Sequence, residues 1–161
     1  MVAMINSDIF NTNLPSLDPM QREIAEKIIQ YYYTAEKSFI SSKSDLIVRK
    51  NYLELLMVHS ENQETNFVII LFESFIEFSC GGFVFQFAYD SKQINEYILS
   101  LFRGEYEIYQ TVVGNFIIEE RFRWLNDGLM SRTRKTIFYF LFLPLIKKFS
   151  KTKAFVFQSF V

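Results

Sequence analysis

The stretch Phe75–Tyr89, FIEFSCGGFVFQFAY, decides how the rest of the chain is read. Two runs of aromatic and aliphatic residues, Phe75 to Cys80 and Phe83 to Tyr89, flank Gly81-Gly82. A two-residue glycine connector supplies the positive φ that tight hairpin turns require. In the second run Phe83, Phe85, Phe87 and Tyr89 recur at every other position, so on a strand they share one face and cover a core. The expectation is an antiparallel hairpin with one buried side.

Upstream, Tyr52 to His59 and Asn66 to Phe72 flank the polar segment Ser60–Thr65, which is a second hairpin pattern; a helix over Leu46 to Val58 competes with it. Downstream, Asp90 to Phe102 reads as a helix. Asp90 stands at an N-cap with Gln93 three residues on, Ile94, Tyr97, Ile98, Leu101 and Phe102 follow helical spacing, and Gly104 lies where a left-handed cap belongs. Glu105 to Val113 and Phe116 to Trp124 then alternate around Gly114-Asn115. In the later strand Phe116, Ile118, Phe122 and Trp124 face one way, and Glu119, Arg121 and Arg123 the other.

Near the start, Asp18-Pro19 opens a helix to about Glu36: Asp18 caps it, Pro19 suits the first turn, and Gln21 completes a capping-box spacing. Its apolar stripe is Ile24, Ile28, Tyr31, Tyr32 and Ala35. Residues 1–17 read as a loosely held arm. Toward the end, Thr133 to Leu143 and Ala154 to Val161 read as two strands, with a helix over Arg132 to Leu143 as the alternative. The sum is an α+β single domain over residues 1–161, an antiparallel sheet of about six to eight strands with two amphipathic helices packed on one face.

With 161 residues, half of them hydrophobic and 22% charged, the chain excludes the disordered and low-complexity classes. The single Cys80 cannot form an internal disulfide, and the first residues show no basic, then apolar, leader pattern. The longest apolar run, Ile137 to Ile146, is ten residues with Pro144 inside it, against about 20 for a membrane-spanning helix. A cytoplasmic protein is the expectation.

Charge is informative by position. Residues 131–161 hold Arg132, Arg134, Lys135, Lys147, Lys148, Lys151 and Lys153 and no acid, a net of plus seven against minus eight before them. Asn51 to Ser91 carries Glu54, Glu61, Glu64, Glu73, Glu77 and Asp90 with no Lys or Arg, so one local surface is acidic where those carboxylates face the same way.

Catalytic signals are sparse. His59 is the only histidine, which excludes a His-rich metal site, and its place at a strand end suggests a surface residue. Cys80 has no flanking base to lower its pKa and reads as a buried or half-buried thiol. Glu73 and Glu77 on one strand would stand about 13 Å apart at ~3.3 Å per residue, too far to share a proton unless the chain folds back at Glu73-Ser74. No phosphate-binding glycine loop, His-Glu-x-x-His or Cys-x-x-Cys occurs. No catalytic, metal or cofactor residue is therefore assigned. Arg132-Thr-Arg-Lys135 with Phe138, Tyr139 and Phe140 has the look of a phosphate-contacting patch, but a sequence pI near 5.9 argues against a nucleic-acid partner. The same basic-flanked apolar segment, Thr136 to Lys153, offers a peripheral membrane alternative.

The Asp90-x-x-Gln93 helix, the Arg103-Gly104-Glu105-Tyr106-Glu107 strand and the Val113-Gly114-Asn115-Phe116 turn together resemble the organisation of small bacterial immunity proteins, which neutralise a cognate toxin domain in interbacterial competition. The resemblance covers about Tyr52 to Trp124, rests on architecture and composition, and transfers no site residues. It implies a non-enzymatic, cytoplasmic toxin inhibitor, and a nuclease target would account for an acidic surface that mimics phosphates. The expected partner-binding residues, read from the charge pattern, are Glu54, Glu61, Glu64, Glu73 and Glu77, facing a basic cognate protein. A homodimer formed through an exposed strand edge is a further alternative.

Overall fold

Asp18 and Gln21 tie their side chains to each other's backbone, and the first helix of the chain starts there. In the computed structural model Asp18 Oδ1 accepts from the amides of Met20 (2.9 Å) and Gln21 (3.0 Å), and Gln21 Oε1 accepts from the Asp18 amide at 3.2 Å. This is the expected capping box, with Pro19 in the first turn, and it opens helix α1, Pro19–Thr34. The structure describes residues 14–35, 43–59, 66–126, 129, 131–141 and 150–156. The other elements are β1 (Asp45–Arg49), β2 (Tyr52–Val58), β3 (Asn66–Leu71), β4 (Ile76–Cys80), β5 (Phe83–Phe87), α2 (Ile94–Phe102), β6 (Tyr106–Val113), β7 (Phe116–Trp124), β8 (Arg132–Lys135), α3 (Ile137–Leu141) and β9 (Ser150–Val156).

The class is α+β with antiparallel pairing throughout, as expected. The nine strands among the described residues divide between two sheets, of order β1-β2-β3-β4-β5 and β8-β7-β6-β9. They belong to two compact units, one ending at Arg103 and the other beginning at Gly104.

The first unit is a five-stranded meander whose rows alternate strictly between core and outer face. Leu46, Leu55, Ile69, Phe78 and Phe85 lie side by side across all five strands, and all are buried. Two rows away, Val48, Leu53, Leu71, Ile76 and Phe87 repeat the pattern. The period of two in the sequence produces this directly. Gly81 and Gly82 take φ of +53° and +77° between β4 and β5, the role assigned to them. Helix α2 covers the inner face: the Phe102 ring meets Phe67 at 5.2 Å, and Tyr97 meets Phe87 at 4.3 Å and Phe78 at 6.0 Å. Helix α1 buries Ile24, Ala25, Ile28 and Tyr32, and its Tyr31 packs on Phe102 at 5.6 Å.

Three expectations are corrected here. The competing helix over Leu46 to Val58 is instead the hairpin β1–β2, turning at Lys50-Asn51 with Asn51 at φ +54°. Asp90 does not cap α2, which begins at Ile94 behind Gln93 with no side-chain cap. The intervening residues form tight turns, Ser91 N to Ala88 O at 3.1 Å and Ile94 N to Ser91 O at 3.3 Å, which delay the helix by nearly one turn. Within the expected arm, Leu14–Ser16 form a 3-10 turn and Leu17 is buried; residues 1–13 lie outside the described residues.

In the second unit Tyr106, Ile108, Ile118, Phe122 and Trp124 form the core side, with Tyr106 stacked on Phe122 at 5.4 Å. Phe116 departs from expectation and is exposed. A β-bulge between Thr111 and Val112 shifts the register, so Phe116 is not in phase with Phe122. Arg132 to Leu143 is neither a single strand nor a single helix: the strand stops at Lys135 and a short helix follows to Leu141. β9 starts at Ser150, earlier than the expected Ala154.

Candidate functional site

Two surfaces carry the chemistry, one on each unit. The outer face of the five-stranded sheet holds the row Ile47, Glu54, Ile70, Glu77, Gln86 and beside it the row Asp45, Leu56, Val68, Ser79, Val84. Glu54 and Glu77 therefore share one face of the sheet, two strands apart, or about 10 Å at ~4.8 Å per strand, with the half-buried Ile70 between them. Both carboxylates are held. The Tyr52 hydroxyl donates to Glu54 Oε2, and Gln86 Nε2 donates to Glu77 Oε2 at 2.8 Å. That bond to the carboxylate, assisted by burial, pushes the Tyr52 phenol up to about 12.

Glu73 is exposed in the β3–β4 turn and not on a strand, so it does not share a strand with Glu77; the chain folds back there, with Phe72 N bonded to Phe75 O at 2.9 Å. The turn brings aromatic rings together. Phe72 stacks on Phe75 at 4.6 Å and meets Tyr52 edge-on at 5.9 Å. Glu54, Glu73 and Glu77 thus border one half-buried aromatic cluster, with the exposed Arg49 opposite Tyr52 on the same face. Glu61 and Glu64 lie outside the described residues.

His59 is fully buried, not a surface residue as its strand-end position suggested. The segment before β1 continues beside β2: Ser44 Oγ donates to Val58 O (3.1 Å) and accepts from Val58 N (2.9 Å), so the strand end stays inside. Cys80 is buried on the inner face between Phe67 and Phe83, as expected for a core thiol.

The second surface is the polar face of the four-stranded sheet. Register aligns Tyr109, Arg121 and Thr133 across β6, β7 and β8; Glu107 stands opposite Arg123, and Thr111 lies between Glu119 and Thr152. A groove of about 420 Å³ opens on this face. Arg121, Arg123, Tyr109, Thr111 and Thr133 of this face line it, and Arg132, paired with Phe122 and so on the opposite side by alternation, borders it from the end of β8. Among the described residues lining it there is no carboxylate, while Glu119 and Glu107 on the same face stand against Arg121 and Arg123. Glu119 is 6% exposed and binds Arg121 through Nε, so the terminal Nη pair of that guanidinium is not consumed by the contact. Glu107 accepts from the Tyr109 hydroxyl, which fixes the ring and raises the Tyr109 pKa.

Glu120 sits on the opposite, core side of the same strand. It is buried, and satisfied by Arg134 (Nε at 3.0 Å, and Nη2) and by Gln110 Nε2 at 2.9 Å. The Arg132–Lys135 patch is real as an exposed edge strand, with Lys135 Nζ 4.1 Å from the centroid of the Tyr139 ring. Beside it Ile137 and Phe140 are 72% and 64% exposed. Alternation places Arg121 and Arg123 on one face, and the register that sets Tyr109 and Thr133 beside Arg121 is not local information.

The charge divides with the units. Residues 1–103 carry eight basic and thirteen acidic side chains, a net of minus five, whereas 104–157 carry nine and five, a net of plus four. Among the described residues no group of three or more His, Cys, Asp or Glu is placed to hold a metal ion, and no helix is long and apolar enough to cross a membrane. No family model, curated protein or solved structure matches this chain.

Proposed function

We propose that the chain is a non-enzymatic protein-binding module of the immunity type, which meets a basic partner through the outer face of its five-stranded sheet. One observation carries this reading: Glu54, Glu73 and Glu77 border the cluster of Tyr52, Phe72 and Phe75 on a rigid sheet. Aromatic residues at the centre and charges around them are the composition of interface hot spots, in which rings supply the buried area and carboxylates steer the encounter. The bonds from Tyr52 and Gln86 hold two of the acids in place before any partner arrives, which lowers the ordering cost of association.

The test is affinity capture from lysate of the source organism, with the wild type beside the Glu54→Lys/Glu77→Lys double variant. A basic protein held at near-equal stoichiometry by the wild type and released by the double variant supports the reading. Equal retention by both, or no stoichiometric protein at all, sinks it.

Peripheral membrane association through Thr136 to Lys153 is favoured by a different observation, the exposure of Ile137 and Phe140 next to Lys135. It requires that vesicles containing anionic lipid bind the wild type and not the Ile137→Ser/Phe140→Ser variant.

A further inference from the structure

Strand β8, Arg132–Lys135, forms one edge of the second sheet, and its outer side has no partner strand among the described residues. Which backbone groups it turns outward follows from one bond. Thr136 N donates to Ile118 O at 3.0 Å, which marks these two as a hydrogen-bonded pair of the antiparallel ladder; by alternation Arg134 with Glu120 and Arg132 with Phe122 are the next such pairs. The N–H and C=O of Thr133 and Lys135 therefore point away from β7, where they can bond one more strand. The edge is also fixed in place. Thr136 Oγ1 donates to Ile117 O at 2.8 Å just beyond its end, and Arg134 Nε donates to Glu120 at 3.0 Å along it, so little ordering is left for a partner to impose.

The charge of the edge selects what can pair there. β8 carries three bases and no acid, and all four of its residues are exposed. The bases are partly compensated: Arg134 binds Glu120, and Lys135 stands opposite Glu119 and near the Tyr139 ring. Both carboxylates are buried on β7, however, one strand spacing inside β8 and two from a strand added outside it, and the Arg134 side chain stays 51% exposed despite its bond. An added strand thus meets the bases first. A second copy of β8 laid antiparallel through the outward groups sets Arg132 against Arg134, Arg134 against itself or Lys135 against itself, according to register. Like charges directly opposite are destabilising, so the edge is guarded against its own kind. Carboxylates at alternate positions of an extended segment reverse the sign of those pairs. The groove opens on the Thr133 side of β8 and leaves room for the side chains between the carboxylates.

We infer that the β8 edge binds an extended acidic segment of another protein, added antiparallel as a fifth strand, its backbone bonded to Thr133 and Lys135 and its carboxylates on the side of Arg132 and Arg134. The inference goes beyond the partner-binding reading and does not rest on it, because it concerns the other unit and a partner of opposite charge.

The full chain is titrated by fluorescence anisotropy against a labelled hexapeptide of alternating threonine and glutamate, the same peptide with lysine for glutamate, and the glutamate peptide N-methylated at its threonines. The expected result is that the glutamate peptide binds at least tenfold more tightly than either of the others; the N-methylated form keeps every charge and loses the ladder donors. Thr133→Pro, which removes an outward N–H and no bond to β7, and Arg132→Glu each weaken binding tenfold or more, while Lys92→Glu, in the first unit, leaves it within twofold. A thermal melt shows that each variant is folded, and the N-methylated peptide tests the ladder without altering the protein. Absence of binding of the glutamate peptide at millimolar concentration overturns the inference. So do equal binding of the N-methylated peptide, which would mark a diffuse field and not a strand edge, and equal binding of the lysine peptide. A wild-type dimer that Thr133→Pro renders monomeric overturns it as well, since the edge would then take a second copy of this chain.

Discussion

Replacing Gln21 by Leu tests how the first unit is joined, because one fully buried amide there serves two elements of the sheet as well as its own helix. Its Nε2 donates to Asn51 O (3.1 Å) in the β1–β2 turn and to Phe72 O (2.7 Å) after β3, while Oε1 holds the Asp18 amide. Leu matches the volume, so the loss is in hydrogen bonds and not in a cavity. Each bond contributes about 1 kcal/mol net, and a buried acceptor left bare costs about 1–3. The Asn51 carbonyl is on a half-buried turn and can take water, and Phe72 O keeps the Tyr89 hydroxyl. The full penalty is therefore not incurred, and the expected cost is about 2 kcal/mol, or roughly 4–8 °C in Tm for a chain of this size. Asp18→Ala, which removes only the cap bonds, costs about 1 kcal/mol. Gln21→Glu exceeds both, since it replaces two donors with a buried charge facing two carbonyl oxygens. Urea unfolding followed by far-UV circular dichroism measures all three. An unchanged midpoint for Gln21→Leu, or a Glu variant milder than the Leu variant, would refute the role given to this amide.

Three other substitutions and titrations probe the same packing and pairing. Phe102→Ala removes a fully buried ring packed on both Phe67 and Tyr31 and costs about 3–4 kcal/mol in the same urea assay. Tyr52 and Tyr89 are raised from 10 to about 12, the first chiefly by its bond to Glu54 and the second chiefly by burial; the protonated form is thus favoured in the fold, and their stabilisation is present below pH 10 and is lost as pH rises from 10 through 12. After discounting for partial exposure it amounts to about 2 kcal/mol together, read as late phenolate absorbance and alkaline loss of fold. Arg134→Ala strands the buried Glu120 carboxylate and costs about 1–3 kcal/mol, and Glu120→Gln in the same chain restores part of the loss; an additive double variant would contradict the pairing.

Much of the fold was legible because it follows from period and punctuation. The Phe83–Tyr89 alternation, the Gly81-Gly82 turn, the Asp18–Gln21 box and Gly104 at φ +64° each depend on residues within a few positions of one another. What was not legible is non-local. Nothing near Thr111 announces a bulge, yet the bulge turns Phe116 outward. Nothing near Asp90 shows that the chain makes tight turns before committing to a helix, and Ser44, not a neighbour of His59, keeps the end of β2 inside. The division into two sheets is of the same kind, since strand partners are chosen by packing across the whole chain. At the candidate sites the residue types were visible and their grouping was not: Glu54 and Glu77 meet only through β3, and Tyr109 and Thr133 flank Arg121 only through strand pairing.

Net charge illustrates the cost of ignoring that grouping. A total of minus one and a pI near 5.9 suggest a molecule with little attraction for anions. At physiological ionic strength, however, a charge is felt over about 8 Å, roughly two strand spacings. An anion approaching the polar face of the second sheet meets Arg121 and Arg123 together with Glu119 and Glu107, which stand beside them. A basic protein approaching Glu54 and Glu77 likewise meets the local carboxylates, with Arg49, opposite Tyr52 across β1–β2, as a base on the same face. The near-zero total is the sum of minus five on residues 1–103 and plus four on residues 104–157, so by itself it excludes neither an anionic nor a basic ligand. Added salt should accordingly weaken retention of a basic partner at Glu54 and Glu77. Retention unchanged between low and moderate salt would refute the local-field argument.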